Sequence, residues 1–235
     1  MHPQKSAKSN ARADNAITLR NFTRFYYAFS GIYDFLPNAK SHVFNEFGRH
    51  VFCQIMKLKI GVMGGAAYEH SKENLEKAGA VGKAIAENGC ILFYGATIGL
   101  PLAAAKAAKQ AGALVIGVSP AVNEKEHVEK YKYPTDACDA VVFTGHGFQG
   151  RNVVLVRSCD AVVIIGGRVG TMSEFSVAYA EQKPIGVLRG SGRFADKVAE
   201  LDREVLQGEM PTPIVIESDP KRLVEKLLMA LGRRQ

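Results

Sequence analysis

The chain has 235 residues, of which 47% are hydrophobic, and it carries a formal net charge of +7. This length suits one α/β domain with an appendage, and no apolar run reaches the roughly 18 residues that a membrane-spanning helix needs. The four cysteines form no C-x-x-C pair, which argues against a zinc site or a disulfide framework and favours a reducing, cytoplasmic compartment.

The positive charge is concentrated in the first 55 residues, which contain seven Lys and Arg but only three Asp and Glu. The other 180 residues contain 23 basic and 20 acidic side chains and are nearly balanced. A balanced domain does not require a nucleic-acid surface. We therefore expect neither a nucleic acid nor a membrane as a partner, but a small ligand held by local dipoles.

Residues 1–55 differ from the rest of the sequence. They hold half of all Phe and Tyr, without strand–helix alternation or glycine-rich turns. Three interpretations stay open: a weakly ordered extension, a short amphipathic surface or partner helix, and upstream sequence added by a wrong start site. The last is favoured by Met56-Lys-Leu-Lys-Ile-Gly-Val, which is typical of the start of a first strand. We divide the chain into this extension, expected to be weakly ordered, and a Rossmann-like nucleotide-binding domain over residues 56–235.

From Leu58 onward, short apolar runs alternate with helical patterns. Runs that are apolar throughout predict strands buried on both faces. The alternation predicts right-handed βαβ crossovers, and so an α/β fold with a mainly parallel, Rossmann-like sheet flanked by helices on both faces. The predicted strands are Leu58–Met63, Cys90–Tyr94, Leu114–Val118, Ala140–Phe143, Ala161–Ile165, Ile185–Leu188 and Ile214–Ile216.

Several predicted helices have recognisable ends. One helix runs from about Ser71 to just before Gly89, and Pro101 opens the next. Asp219 followed by a proline predicts the N-cap of the last helix. The polar connection Ala121–Cys138 is predicted to be a surface loop or a mobile flap.

Four of the predicted strands end in glycine-rich turns. Ligands of open parallel sheets bind beyond the carboxyl ends of the strands, so these turns predict one shared site. The turns are Gly61–Gly65, Gly95–Gly99, Gly145–Asn152 and Gly166–Glu174. The candidate ligand- or phosphate-binding residues are Gly64, Gly65, Gly95, Thr97, Gly99, Gly147, Asn152, Gly166, Gly167, Arg168, Gly170 and Thr171.

The segment Gly166–Glu174 has the strongest physical case. Its glycines let the backbone approach an anion, and the following helix directs free N–H groups and its positive dipole end at the same point. Thr171 could donate its hydroxyl to a phosphate. Thr171-x-x-Glu174 is equally a capping-box pattern, in which both residues would serve only the helix end.

This segment resembles the G-G-x-x-G-T-x-x-E signature of the LOG-like (lysine-decarboxylase-like) superfamily. Arg151 lies nine residues before Asp160, as an arginine of that superfamily does. The stretch from Arg151 to Leu188 most resembles the branch of molybdenum-cofactor carrier proteins. The resemblance covers about Met56 to Gly232 and implies a homodimer or higher homo-oligomer.

The chain departs from the hydrolase pattern of LOG phosphoribohydrolases. Gly166 stands where those enzymes have proline, Ser173 replaces the first of two acids, and Asn152 replaces a lysine. Arg168 replaces a glycine of both patterns. These departures favour binding of a nucleotide or phosphorylated cofactor, such as a bound molybdenum cofactor, with no required cofactor and no metal site.

Two alternatives stay open. A nucleoside 5′-monophosphate phosphoribohydrolase would release the free base, with Glu174 as the catalytic carboxylate. Arg151 would bind the phosphate or orient Glu174. A non-catalytic nucleotide sensor would act on a partner. His146 and Arg189 are weaker candidates for ligand contact, and His70 and His127 are predicted to lie at the surface. The chain has no Walker motif and no dinucleotide-binding Gly-x-Gly-x-x-Gly pattern.

Overall fold

The structure is a computed structural model that describes residues 57–66, 70–201 and 214–232. The predictions made for residues 1–55 lie outside these ranges. Within them the chain forms a seven-stranded sheet in the order β4-β3-β2-β1-β5-β6-β7, and every pair of neighbouring strands is parallel. The predicted α/β, Rossmann-like fold is therefore confirmed.

The seven strands match the predicted apolar runs to within one residue at each end. Three of them, the fourth, fifth and sixth, have the predicted bounds. The strands are β1 (Lys59–Gly64), β2 (Ile91–Tyr94), β3 (Val115–Ser119), β4 (Ala140–Phe143), β5 (Ala161–Ile165), β6 (Ile185–Leu188) and β7 (Ile214–Glu217).

The predicted helix caps are also present. The hydroxyl oxygen of Ser71 accepts the N–H of Asn74 at 3.2 Å, and Asp219 accepts the N–H of Arg222 at 2.8 Å. None of the helices in the described ranges is long and apolar enough to cross a membrane. The helices are α1 (Lys72–Glu87), α2 (Leu100–Gln110), α3 (Gly147–Arg157), α4 (Val169–Ala180), α5 (Arg193–Leu201) and α6 (Pro220–Gly232).

The sheet is covered by helices on both faces. All five residues of β5 are buried, and their side chains alternate between two apolar clusters, with Val163 and Ile165 in one and Val162 and Ile164 in the other. The first cluster also contains residues of α1, α2 and α6, and the second contains residues of α3, α4 and α5. Burial on both faces explains why this strand is apolar throughout.

The order of the strands defines where a ligand can enter. From β1 the chain moves outward to β4, and then returns to place β5 on the other side of β1. The helices that follow β1 and β5 consequently cover opposite faces of the sheet. This reversal opens a crevice beyond the carboxyl ends of β1 and β5, which is the usual ligand position in such sheets.

The connection Ala121–Cys138 is more closely anchored than a mobile surface loop. It contains a π-helical turn at Glu126–Lys130. His127, predicted to lie at the surface, is fully buried, and its Nδ1 forms a 2.9 Å hydrogen bond with the hydroxyl of Ser119. The prediction for His127 is wrong because a polar partner at the end of β3 makes burial of the imidazole possible.

Helices α1 and α2 approach each other through a glycine. A Cβ at Gly82 would lie 1.9 Å from the carbonyl oxygen of Ala104, whereas a Cβ at Gly79, on the same helix, would lie 3.7 Å from the Cβ of Ala107. We expect Gly82→Ala to lower the free energy of unfolding by about 1–3 kcal/mol, because the helices must separate. Gly79→Ala should raise it by up to about 1 kcal/mol, because alanine favours the helix.

Urea unfolding of both variants, followed by circular dichroism, measures this difference. The two substitutions are chemically identical and lie one turn apart, so each is the other's control. Equal effects of the two substitutions would contradict the close contact between α1 and α2.

Candidate functional site

A cavity of about 360 Å³ lies in the crevice beyond the carboxyl ends of β1, β2 and β5. Glycines after β1 and β2 form its floor, and helices α3 and α4 border it. Its wall is formed by Val62, Met63, Gly64, Gly65, Ala66, His70, Gly95, Thr97, Pro101, Tyr133, Phe148, Gln149, Arg151, Asn152, Arg168, Gly170, Thr171, Glu174 and Arg193.

The structure brings most of the predicted site residues to this one cavity. From the first two turns come Gly64, Gly65, Gly95 and Thr97. The third and fourth turns and their helices contribute the other predicted residues, which are Arg151, Asn152, Arg168, Gly170, Thr171 and Glu174. Turns that are far apart in the sequence meet here because parallel strands all end at the same edge.

Four predicted ligand-binding glycines do not line the cavity: Gly99, Gly147, Gly166 and Gly167. All four have positive φ, between 58° and 93°, a range that glycine adopts without steric strain. In addition, a Cβ at Gly167 would lie 2.4 Å from the side chain of Thr171. These glycines shape the turns beside the cavity, and their predicted contact with the ligand stays a prediction.

Sequence reasoning missed several residues of the wall. His70, predicted to be a surface residue, is partly buried and its Nε2 lies 2.9 Å from the carbonyl oxygen of Gly65. Tyr133 comes from the long polar connection, where no motif indicated it. Of the weaker candidates, His146 and Arg189 do not line the cavity, whereas Arg193, four residues beyond Arg189, does.

Three helices begin at the cavity without a side-chain cap. Residues in the first turn of α2, α3 and α4 line the wall, and the N-cap residues Gly99, His146 and Arg168 form no capping hydrogen bond. By contrast, α1 is capped by Ser71. The positive ends of the three helix dipoles, and the free N–H groups of α3 and α4, are therefore available to an anion in the cavity. In α2 the N–H of Leu100 donates to the carbonyl oxygen of Gly65 at 3.0 Å, and Pro101 has no N–H.

The capping-box interpretation of Thr171 and Glu174 is wrong. Helix α4 begins at Val169, with Arg168 at the N-cap position, so Thr171 is already the third helical residue. The Glu174 carboxylate does not return to the helix end but accepts a hydrogen bond from Nη1 of Arg151, at 3.2 Å. The spacing fits a capping box, but the helix begins two residues before Thr171, so this threonine is not at the N-cap position.

Arg151 and Glu174 form a buried ion pair between α3 and α4. Their residues are only 5% and 7% exposed. Burial raises the pKa of the Glu174 carboxyl to about 7, although the Arg151 guanidinium opposes this shift. Burial also lowers the pKa of Arg151, but an arginine remains protonated at neutral pH.

The ion pair is incompletely satisfied by the residues that the structure describes. The buried Nε of Arg151 has no hydrogen-bond partner among them. With its side-chain nitrogen turned toward Glu174, Asn152 donates to Oε1 at 3.3 Å and to the carbonyl of Phe148 at 3.0 Å. A buried donor without a partner, next to a cavity, can still bond to a ligand.

Gly95 makes room for this arginine. A Cβ at Gly95 would lie 2.2 Å from Nη1 of Arg151. The guanidinium therefore packs directly against the backbone at the end of β2, in the space that a side chain at position 95 would take. Gly95 therefore has two effects: it leaves room for the Arg151 guanidinium, and it lines the cavity.

Aromatic rings form another part of the wall. Tyr133 and Phe148 both line the cavity, and Tyr131 packs against each of them. Tyr131 is stacked on Tyr133, with ring centroids 5.7 Å apart, and meets Phe148 edge-on at 5.5 Å. In the described ranges, no group of three or more His, Cys, Asp or Glu could hold a metal ion.

Comparison with known proteins identifies the family. A family model described as the SLOG cluster4 family matches residues 57–221. An uncharacterized protein of Archaeoglobus fulgidus is 38% identical over 135 residues, which are 57% of this chain and 82% of that protein. A probable cytokinin riboside 5′-monophosphate phosphoribohydrolase of Oryza sativa subsp. japonica is 26% identical over 185 residues, covering 72% of this chain and 71% of that one.

Two solved structures share both the fold and a similar level of identity. The molybdenum cofactor binding protein of Rippkaea orientalis is 29% identical, with a TM-score of 0.62, over 75% of this chain and 98% of that one. The molybdenum cofactor carrier protein of Chlamydomonas reinhardtii is 29% identical, with a TM-score of 0.60, over 74% and 99%. The predicted resemblance is confirmed: the chain belongs to the SLOG cluster4 family within the LOG-like superfamily, and it is similar to the molybdenum-cofactor carrier branch.

Proposed function

We propose that the cavity binds a phosphorylated small ligand, either a nucleotide or a phosphorylated cofactor. One observation carries this proposal: among the residues that the structure describes, three helix N-termini without side-chain caps border a cavity whose charged wall has three arginines and one carboxylate. Helix N-termini and arginines both stabilise anions. A phosphate is the common biological anion that suits this arrangement.

The first turn of α4 is the proposed phosphate position. No atom lies within 4 Å of the point that a Cβ of Gly170 would occupy, so the backbone there is open to the cavity. Thr171, the next residue, adds a hydroxyl donor. Open backbone and free N–H groups at a helix start are the features by which proteins hold phosphate.

The aromatic wall supports a ligand with a planar ring. Tyr133 and Phe148 offer ring faces or edges to a nucleobase or a pterin, and Tyr131 holds them in place. A molybdenum cofactor, as cargo, has both a pterin-type ring and a phosphate and fits this division of the cavity. The similar proteins of Rippkaea and Chlamydomonas, named for that cofactor, support this class of ligand.

A phosphoribohydrolase is the second candidate, and one observation favours it. With a pKa of about 7, the Glu174 carboxyl is present in both protonation states at neutral pH, as an acid–base group requires. Its carboxylate would stabilise positive charge on the ribose while the glycosidic C–N bond breaks. Water then adds to the anomeric carbon, and a proton leaves with the free base. The rice relative supports this candidate by its name.

Two further properties belong to the proposal. We infer from the superfamily resemblance that the chain forms a homodimer or higher homo-oligomer, and from the spacing of its cysteines that it acts in the reducing cytoplasm. Exposed apolar residues on adjoining helices, Phe148, Val169 and Met172, support self-association. Light scattering on the purified chain distinguishes a dimer from a monomer.

A valine at position 170 tests the phosphate position. Gly170→Val puts a branched side chain into the open space beside the first turn of α4, so we expect AMP and inorganic phosphate to bind at least about tenfold more weakly. The melting temperature should hardly change, because the Cβ of the new side chain would lie in open space. Calorimetry measures binding, and Met172→Val, on the same helix but outside the cavity, is the control. Unchanged affinity in Gly170→Val would remove α4 from the site.

Glutamine at position 174 separates the two candidate functions. Glu174→Gln preserves the shape and the acceptor oxygen but removes the charge that stabilises a ribosyl cation. For a phosphoribohydrolase, release of base from AMP should slow by roughly 10² or more, with little change in affinity. For a binding protein, neither form should release base, which is the result that we expect. Chromatography detects free adenine. If the unsubstituted protein releases adenine from AMP and Glu174→Gln does not, the protein is a phosphoribohydrolase.

The same variant tests the state of the buried carboxyl. Because the folded-state pKa of about 7 lies above the ordinary value of 4.5, the folded chain binds the proton more tightly than the unfolded chain between these values. The parent should therefore lose stability relative to Glu174→Gln as pH rises from 5 to 8, by about 1–3 kcal/mol. Urea unfolding at several pH values measures the free energy of unfolding of both forms. The contributions of the other carboxylates are the same in both and cancel in the difference. A difference that is constant with pH, or that grows in favour of the parent, would contradict the raised pKa.

A further inference from the structure

The cavity has more cationic groups than a single phosphate at α4 requires. Besides the paired Arg151, the guanidinium-bearing residues Arg168 and Arg193 line its wall, and both are exposed. Within the described ranges, neither side chain forms an ion pair or a hydrogen bond. We call these two residues the rim arginines. Their charges are available to a ligand.

The rim arginines start from adjoining stretches of backbone. The N–H of Phe194 donates to the carbonyl oxygen of Gly167 at 3.2 Å, and the N–H of Ala195 donates to that of Gly166 at 3.0 Å. Each rim arginine is thus next in sequence to a residue of these two backbone hydrogen bonds. Because Arg168 is also the N-cap residue of α4, the pair lies beside the proposed phosphate position.

Arg193 is held in an unfavourable backbone conformation. Its φ is +56°, in the left-handed region, which costs an arginine free energy that glycine would not lose. The loop is fixed nevertheless: the Asp196 carboxylate accepts the N–H groups of Gly190 and Gly192, at 2.6 and 3.0 Å. Ser191 also accepts the N–H of Gly166 at 2.8 Å. These hydrogen bonds therefore hold the loop in a conformation in which the residue at position 193, an arginine, has a φ that glycine adopts more easily.

We propose that the ligand carries two adjacent phosphoryl groups, one at the start of α4 and the second between Arg168 and Arg193. The ligand class is then a nucleoside diphosphate or a cofactor joined through a diphosphate, in place of the nucleoside monophosphate and the singly phosphorylated cofactor considered above. Guanidinium groups bind phosphoryl oxygens in pairs, which suits the second group. This inference rests on the proposed phosphate-binding function and narrows its ligand.

Arg189 provides a matched control. It is an exposed arginine of the same loop after β6, yet it does not line the cavity. If exposed arginines only set the general charge of this surface, Arg189 should matter as much as Arg193. If the rim arginines contact a phosphoryl group, Arg189 should not matter beyond weak long-range attraction.

The experiment compares ligands with one and two phosphoryl groups on the full chain. Calorimetry gives the affinities of AMP, ADP, inorganic phosphate and pyrophosphate for the parent and for Arg168→Gln, Arg193→Asn and Arg189→Gln. Asparagine is chosen at 193 because it tolerates left-handed φ, so the loop keeps its shape. The melting temperatures of the variants verify that each still folds.

We expect ADP to bind the parent about tenfold or more tightly than AMP, and pyrophosphate more tightly than phosphate. Arg168→Gln and Arg193→Asn should each weaken ADP much more than AMP, so that most of that advantage is lost. Arg189→Gln should still bind ADP more tightly than AMP, as the unsubstituted protein does.

Two results would overturn the inference while leaving the phosphate site at α4 intact. AMP and ADP could bind the parent equally well, or Arg189→Gln could weaken ADP as much as Arg193→Asn does. If none of the four probes binds to the parent, the proposed function fails and this inference fails with it.

Discussion

The arrangement of the site depends on the burial of one ion pair, Arg151 with Glu174. A guanidinium and a carboxylate removed from water lose hydration that their mutual attraction only partly restores, and the raised pKa of the Glu174 carboxyl expresses that deficit. The structure accommodates the pair by leaving Gly95 without a side chain and by placing Asn152 near the carboxylate. Because the two charges lie on α3 and α4, the pair also ties together the two helices that border the cavity.

The same burial gives the cavity two chemical possibilities. A carboxyl that is easily protonated at neutral pH presents less negative charge to an incoming phosphate than an exposed glutamate would. It also has the proton affinity that a catalytic acid–base group needs. The helix ends and arginines suit both proposed functions, which would differ in where the ligand lies relative to Glu174.

Patterns that depend on short-range sequence were predictable. The strands followed from apolar runs such as Ala161–Ile165, whose burial on both faces requires apolar side chains. The position of the cavity at the turn after β5 followed from the glycines there and from the rule for parallel sheets. The start of α4 was not predictable, since Thr171-x-x-Glu174 suits a capping box equally well. His127 and Arg193 were missed because their environments are created by Ser119 and Asp196, through contacts that only the folded chain brings about.

At Arg193, the backbone conformation that would favour glycine for stability conflicts with the positive charge that the arginine places at the cavity. Glycine at this position would relax the loop, and an engineer who selected only for thermal resistance would reach it readily. Such a protein would melt later and yet lose one of the positive charges at the mouth of its cavity. A design programme for this scaffold should therefore exclude residue 193 from consensus or stability-guided libraries, because here a gain in stability removes a charge that lines the cavity.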